Sequence, residues 1–534
     1  MFLNPKELLK FKIRRTEKES IEPDEILLDS EKISAAEKEF EGKFEVLIKE
    51  RNFLVFFGLA LFAGLIFGGR LFYLQIAEGG YFREKAEINK TRVQKIPALR
   101  GMIYDARLKP LVFNAPVIDA GVSKKELPKS ENEYRAAIQK LSEILAIDEN
   151  QLLNAISKSG ANADEVLLAQ NIDSETYLKL SAKSDELPGL LIYKNFTRAY
   201  QFGAEFSHVL GYIGKVGAED LKNCGDCGPA DIIGKSGLEL FYDEILRGKS
   251  GRKEFLRGSR GEIIGEMKET TSVSGSDLVL SVDGDFQKSA SAKMSAELKN
   301  YGFSKGALAA LNPANGNILA LASFPEFDPN LFTTKISEAD FSALFNNPNR
   351  PLFNRAISGN YPIGSTIKPI IGAAALEEKI ISPDYKIFDE GSIIIQNPYD
   401  SSKPSVFKDW KAHGWTAMRQ AIAESCNVYF YTIGGGFGNF EGLGVEKIKE
   451  YLLKFGFGEK LGVDLFGEAG GLVPDPEWKK TGNKYDPVWR IGDTYHLSIG
   501  QGDMLATPLQ LAAAVSSLVN GGTLYRPRLV QEIK

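Results

Sequence analysis

The carboxy-terminal half of this 534-residue chain reads as an α+β fold, with helices packed on a mainly antiparallel sheet. Three observations predict it. Asp277-Leu-Val-Leu-Ser-Val282, Gly306-Ala-Leu-Ala-Ala-Leu311 and Ile318-Leu-Ala-Leu-Ala322 are short apolar runs of strand length. Asn315-Gly316 lies between the last two, and this dipeptide suits the tight turn of an antiparallel hairpin. Helical segments follow, around 369–379, 417–433 and 508–519, so strands gather at one end and helices come after them. This domain is expected to span 276–534.

Residues 1–51 mix lysine and glutamate with scattered Leu, Ile and Phe, and read as a solvated, charged tail. An uncharged run from Phe53 to Gly69 follows, then Arg70 and an apolar stretch to Ile76. With the arginine able to snorkel, 52–76 is long enough to cross a bilayer as a helix. It lies too deep, and lacks a small-residue cleavage site, to be a removable signal peptide. Charge settles its orientation poorly, because Lys49 and Arg51 precede it while Arg70, Arg83 and Lys85 follow. Residues 77–275 form a mixed region, with a strand at 189–193 and amphipathic helices at 134–145 and 148–158.

Hydrophobic residues make up 43% of the chain and charged residues 25%, enough for a sizeable core in two or three folded units. The net charge of -5 provides no basic footprint, so nucleic acid is not an expected partner. There are three histidines, which leaves few ways to build a Ser-His-Asp triad. A serine nucleophile here needs another base. Of the three cysteines, Cys224 and Cys227 can close a small loop disulfide in an exported domain, leaving Cys426 free.

The sharpest chemical feature is Tyr361-Pro-Ile-Gly-Ser-Thr-Ile-Lys-Pro369. Proline is tolerated only in the first turn of a helix, so Pro369 places a helix start close to Ser365. Ser365 and Lys368 then share one face. The positive end of the helix and burial both disfavour a protonated lysine, which suits Lys368 to take the Ser365 proton while backbone N–H groups stabilise an oxyanion. Sixty residues on, Ser425-Cys426-Asn427 offers a second hydroxyl and an amide, able to relay a proton and hold a peptide carbonyl.

Together, these pieces resemble the penicillin-recognising serine acyltransferases, whose motifs are Ser-x-x-Lys, Ser-x-Asn and Lys-Thr/Ser-Gly. Asn312-Pro-Ala-Asn-Gly316, Asn354-Arg-Ala356, Gly500-Gln-Gly502 and Thr507-Pro-Leu-Gln510 extend the match. Upstream, Arg100-Gly-Met-Ile-Tyr-Asp105 and Gly234-Lys-Ser-Gly-Leu-Glu239 resemble class B penicillin-binding proteins, closest to their elongation-specific branch, penicillin-binding protein 2. The resemblance implies a cytoplasmic tail, one transmembrane anchor, an extracytoplasmic pedestal at 77–275 and a transpeptidase domain in the cell envelope. It further implies peptidoglycan stem peptides as substrate and β-lactams as inhibitors, with Ser365, Lys368, Ser425 and Asn427 catalytic. The implied partner is a SEDS-family glycosyltransferase of the elongation complex. Acyl transfer of this kind requires no cofactor.

Two departures stand out. Asp105-Ala-Arg-Leu-Lys109 replaces the family's usual Asp-Arg-Asn-Gly turn. The Lys-Thr/Ser-Gly strand is expected several tens of residues beyond Thr507-Pro-Leu-Gln510, past Lys534. The chain as read is therefore expected to be carboxy-terminally incomplete, and Lys480-Thr-Gly482 to be a surface decoy. A catalytically incomplete scaffold regulating the polymerase, or a division-specific transpeptidase, are the alternative readings. Finally, Asp389, Asp409, His413 and Cys426 are four plausible zinc ligands, and the resemblance to penicillin-binding protein 2 implies a zinc ion held by two aspartates, a histidine and a cysteine.

Overall fold

A computed structural model describes the protein at residues 50–80, 91–159, 165–224, 227–228, 231–257, 263–333, 336–397, 400 and 402–534. The charged tail expected at 1–51 lies almost wholly outside these residues. Two compact units are distinguished, one comprising 1–92 with 256–264 and the other 93–255 with 265–534.

In the first unit a helix runs over Glu50–Phe72 and continues as a π-helical turn over Tyr73–Ala77. Leu54–Ile76 is long and apolar enough to cross a membrane, and none of its strongest window is buried. An apolar helix of this length fits a lipid environment.

In the second unit, Pro110–Ser123 is a long strand that pairs antiparallel with Leu190–Tyr200 from Val112↔Tyr200 to Val122↔Leu190. Its distal half also pairs with Glu165–Ile172. Helices Glu131–Leu145, Glu149–Lys158 and Ser174–Ala182 contribute Ile138, Leu141, Leu152, Ile156 and Leu180 to a core with Ala120, Val122 and Val166. Asp148 caps the second of these helices by accepting from the Asn150 and Gln151 N–H groups. The expected helices and strand here are present. Leu278–Leu280 joins the same sheet, parallel to Ile103–Tyr104 and antiparallel to Val530–Ile533.

A buried ion cluster ties this sheet to the short helices Gly237–Phe241 and Asp243–Arg247. Glu239, wholly buried, accepts from Arg198 at 2.8 Å and Arg100 at 2.5 Å, and Arg100 also reaches Asp243 at 2.8 Å. Burial alone would raise the Glu239 carboxyl, but Arg100 and Arg198 outweigh it and hold it below the usual range. This is the physical content of Arg100-Gly and Gly234-Lys-Ser-Gly-Leu-Glu239.

Further along, Gly306–Leu311 and Ile318–Phe324 form the expected hairpin, in register from Gly306↔Phe324 to Ala310↔Ala320, with a shift before Leu311↔Ile318. Helices Lys368–Glu377, Asn427–Gly435, Gly444–Lys454, Ile491–Ser498 and Pro508–Val519 enclose the largest core, including Ile370, Phe430, Leu452, Tyr495 and Ala514. Lys480-Thr-Gly482 ends a short helix, Pro476–Gly482, where the Thr481 hydroxyl donates to the carbonyls of Glu477 and Trp478. It is not a strand. Cys224 and Cys227 are joined by a disulfide, and Cys426 is free and buried.

Candidate active site

Tyr361-Pro-Ile-Gly-Ser-Thr-Ile-Lys makes a sharp turn. Gly364 adopts φ +57°, a 3-10 turn covers Gly364–Ile367, and the α-helix begins at Lys368 with Pro369 in its first turn. Ile367, Ile370, Ile371, Ala374 and Ala375 bury the helix on one side. Ser365 is left exposed, while Lys368 is 1% exposed.

The single helix expected over 417–433 is two helices, Met418–Ala423 and Asn427–Gly435. The break falls on Ser425, which is left-handed at φ +54°. Apolar periodicity on both sides hides it in sequence. This break turns Ser425 and Asn427 inward onto the lysine. The Lys368 ammonium donates to Ser425 O at 2.8 Å, Ser425 Oγ at 3.1 Å and Asn427 Oδ1 at 2.6 Å, and lies 5.4 Å from the Phe430 ring. Ser365 is not among its partners, although three-residue spacing put the two on one face. Burial pushes the Lys368 ammonium down to about 8, against the opposing pull of Asp409 and Cys426. Three residues thus converge, an amine with depressed proton affinity, a hydroxyl and an amide, and the exposed Ser365 hydroxyl stands three residues before the amine. That set can deprotonate a nucleophile and hand the proton to a leaving group.

Asp389, Asp409, His413 and Cys426 also come together, with one ligand atom of each within 4.8 Å of the others. The His413 Nδ1 lies 2.6 Å from Asp389 Oδ2 and 3.7 Å from Asp409 Oδ2, and Cys426 Sγ lies 3.5 Å from Asp389 Oδ2. Two carboxylates, an imidazole and a thiol form a donor set suited to tetrahedral zinc. His413 Nε2 is buried without a hydrogen-bond partner, 3.9 Å from Glu424 Oε2, where the outer carboxylate of a metal-bound histidine stands. The residues fit the ion. Asp409 Oδ2 also accepts the Val428 N–H at 2.9 Å, so this cluster anchors the helix that carries Asn427.

Sequence reasoning missed Phe430, which lines the lysine's apolar side, and read Gln510 only as part of the Thr507-Pro-Leu-Gln510 motif, without its role. The Gln510 side chain is buried, its Nε2 within 2.7–3.0 Å of the carbonyls of Gly456, Glu459 and Gly470, and its Oε1 accepting from Thr507 N. The spacing of Thr507 and Gln510 is that of a capping box, which the structure shows.

Comparison with known proteins gives this geometry a class. Residues 306–534 match the penicillin binding protein transpeptidase domain, and residues 95–280 match the penicillin-binding protein dimerisation domain. The chain belongs to the penicillin-binding proteins, in the class B arrangement of pedestal followed by transpeptidase domain. It is 34% identical over 480 residues to the peptidoglycan D,D-transpeptidase MrdA of Acinetobacter baumannii, covering 89% of this chain and 68% of that protein. It is 29% identical over 495 residues to MrdA of Escherichia coli K12, covering 91% and 74%. Among solved structures it resembles the penicillin-binding protein PBP2 of Helicobacter pylori in complex with MreC, with a TM-score of 0.71 at 30% identity, covering 83% of this chain and 80% of the other.

Proposed function

We propose that this protein is a peptidoglycan D,D-transpeptidase of cell elongation, working through an acyl-enzyme on Ser365. The observation that carries the reading is Lys368, buried one turn beyond an exposed serine and pinned by Ser425 and Asn427. Ser365 Oγ attacks the carbonyl joining the two terminal D-alanines of a stem peptide, and its proton passes to the Lys368 amine. Ser425 delivers a proton to the departing D-alanine nitrogen, while Asn427 orients the peptide. The amine of a neighbouring stem then attacks the ester, restoring the Ser365 hydroxyl. With its ionisation near pH 8, about a tenth of Lys368 is neutral at pH 7, enough to serve as base. β-Lactams acylate the same serine.

Asp389, Asp409, His413 and Cys426 would hold a zinc ion, whose chemistry there is to cross-brace the segments leading into Ser425. The Leu54–Ile76 helix anchors the protein in the cytoplasmic membrane with the tail inside and the catalytic domain outside, where peptidoglycan lies. The solved relative bound to MreC supports a partner of that kind, and a SEDS-family glycosyltransferase completes the assembly we envisage. A fluorescent penicillin tests the reading. The wild-type protein should label and Ser365→Ala should not, whereas equal labelling of both would defeat it.

A further inference from the structure

Among the described residues the Ser365 side chain has no hydrogen-bond partner, so its hydroxyl stands where the backbone puts it. The segment just before it is held from behind. Tyr361 N donates to Ala506 O and Ala506 N to Tyr361 O, both at 2.9 Å, and Gly364 N donates to Gly500 O at 2.9 Å. A second layer supports the first, because Leu472 and Leu505 exchange backbone bonds at 2.7 and 2.9 Å. Thr507 then caps the Pro508–Val519 helix, whose Gln510 ties down three loop carbonyls.

The closest approach in this stack is at Gly500. It is buried, with φ +72°, and a Cβ built on it would stand 2.0 Å from Gly364 O and 2.8 Å from Gly364 C. Both are backbone atoms, so no rotamer change relieves the clash. Gly502, two residues on, has nearly the same φ of +75°, but its Cβ would meet only the His496 Cβ at 3.5 Å, an ordinary contact. We infer that the Gly500 turn is a positioning element for the nucleophile: its carbonyl fixes the Gly364 N–H, and its missing side chain sets how deeply the turn before Ser365 seats. This rests on Ser365 being the acylated serine. A side chain at 500 pushes the turn outward by roughly an ångström, a displacement of the kind that costs about 10²-fold in rate without touching the chemistry.

The test pairs Gly500→Ala with Gly502→Ala, which share the left-handed penalty and differ in the clash. With a fluorescent penicillin, well below each melting temperature, Gly500→Ala should acylate ~10²-fold more slowly with an unchanged half-saturating concentration. Gly502→Ala should stay within about threefold of wild type, because ordinary contact leaves the turn in place. Amide hydrogen exchange at Gly364 supplies a readout independent of acylation, slow in wild type and Gly502→Ala and fast in Gly500→Ala. Equal acylation rates in the two variants, or slow acylation with Gly364 exchange still slow, would overturn the inference. If Gly500→Ala does not fold, Gly364→Ala takes its place. Its Cβ meets nothing within 4 Å, so it should fold and acylate about tenfold more slowly through strain in the same turn, and a wild-type rate would overturn the inference. An unlabelled wild type would instead sink the Ser365 assignment itself.

Discussion

Leu108 and Ser425 both hold left-handed backbone, at φ +60° and +54°, where a Cβ costs roughly 1–2 kcal/mol. For Leu108 the cost is met by a local turn. The turn holds because Asp105 Oδ1 accepts the N–H groups of Arg107 and Lys109, both at 2.8 Å. Leu108 is exposed, so Leu108→Gly should raise the unfolding free energy by about 1 kcal/mol in urea titration, and a loss would show the side chain is needed. For Ser425 the cost accompanies function, since the left-handed turn aims both its carbonyl and its hydroxyl at Lys368. Ser425→Gly should be more stable than Ser425→Ala by about 1 kcal/mol, with both slow to acylate. The Lys368 amine must be unprotonated to act, so acylation should climb tenfold per pH unit below about 8 and level off above it. A stopped-flow rate that is flat from pH 6 to 9 would remove lysine from the role of base.

At the scale of elements, how much was legible depended on how local the cause was. The 306–324 hairpin was readable because Asn315-Gly316 and two apolar runs encode it within 20 residues. Pro369 put a helix start close to Ser365, where a 3-10 turn over Gly364–Ile367 leads into the α-helix that begins at Lys368. The break at Ser425 was not readable, because no Gly or Pro marks it and the forces that impose it are the lysine and the Asp409 cap on the following helix. What Gln510 does was equally hidden, since its three carbonyl partners lie 40 to 54 residues away in sequence. Replacing it with alanine leaves buried carbonyls unpaired, and Gln510→Ala should lose on the order of 2–4 kcal/mol in urea denaturation. The metal-ligand set was legible only as residue types. Its four members come from separate strand, loop and helix-cap positions, and the fold brings them within reach. Cys426→Ser should lower the zinc bound per purified chain, read by elemental analysis, and a chelator should lower the melting temperature of wild type more than that of the variant.

At the scale of the whole molecule, one buried carboxylate on the short helix Gly237–Phe241 helps hold a long pedestal strand to the segment at Arg100. Glu239 pairs with two buried arginines, and Glu239→Ala leaves Arg198 without its carboxylate while Arg100 keeps only Asp243. A loss of about 3–5 kcal/mol is expected by thermal or chemical denaturation, while Glu239→Gln, which still accepts a hydrogen bond, should lose less. Everything chemical nevertheless converges on a few atoms around Lys368. The most direct measurement is peptide mapping by mass spectrometry after brief exposure of the protein to penicillin. A single covalent adduct is expected, on Ser365. An adduct on any other residue, with Ser365 unmodified, would contradict the mechanism.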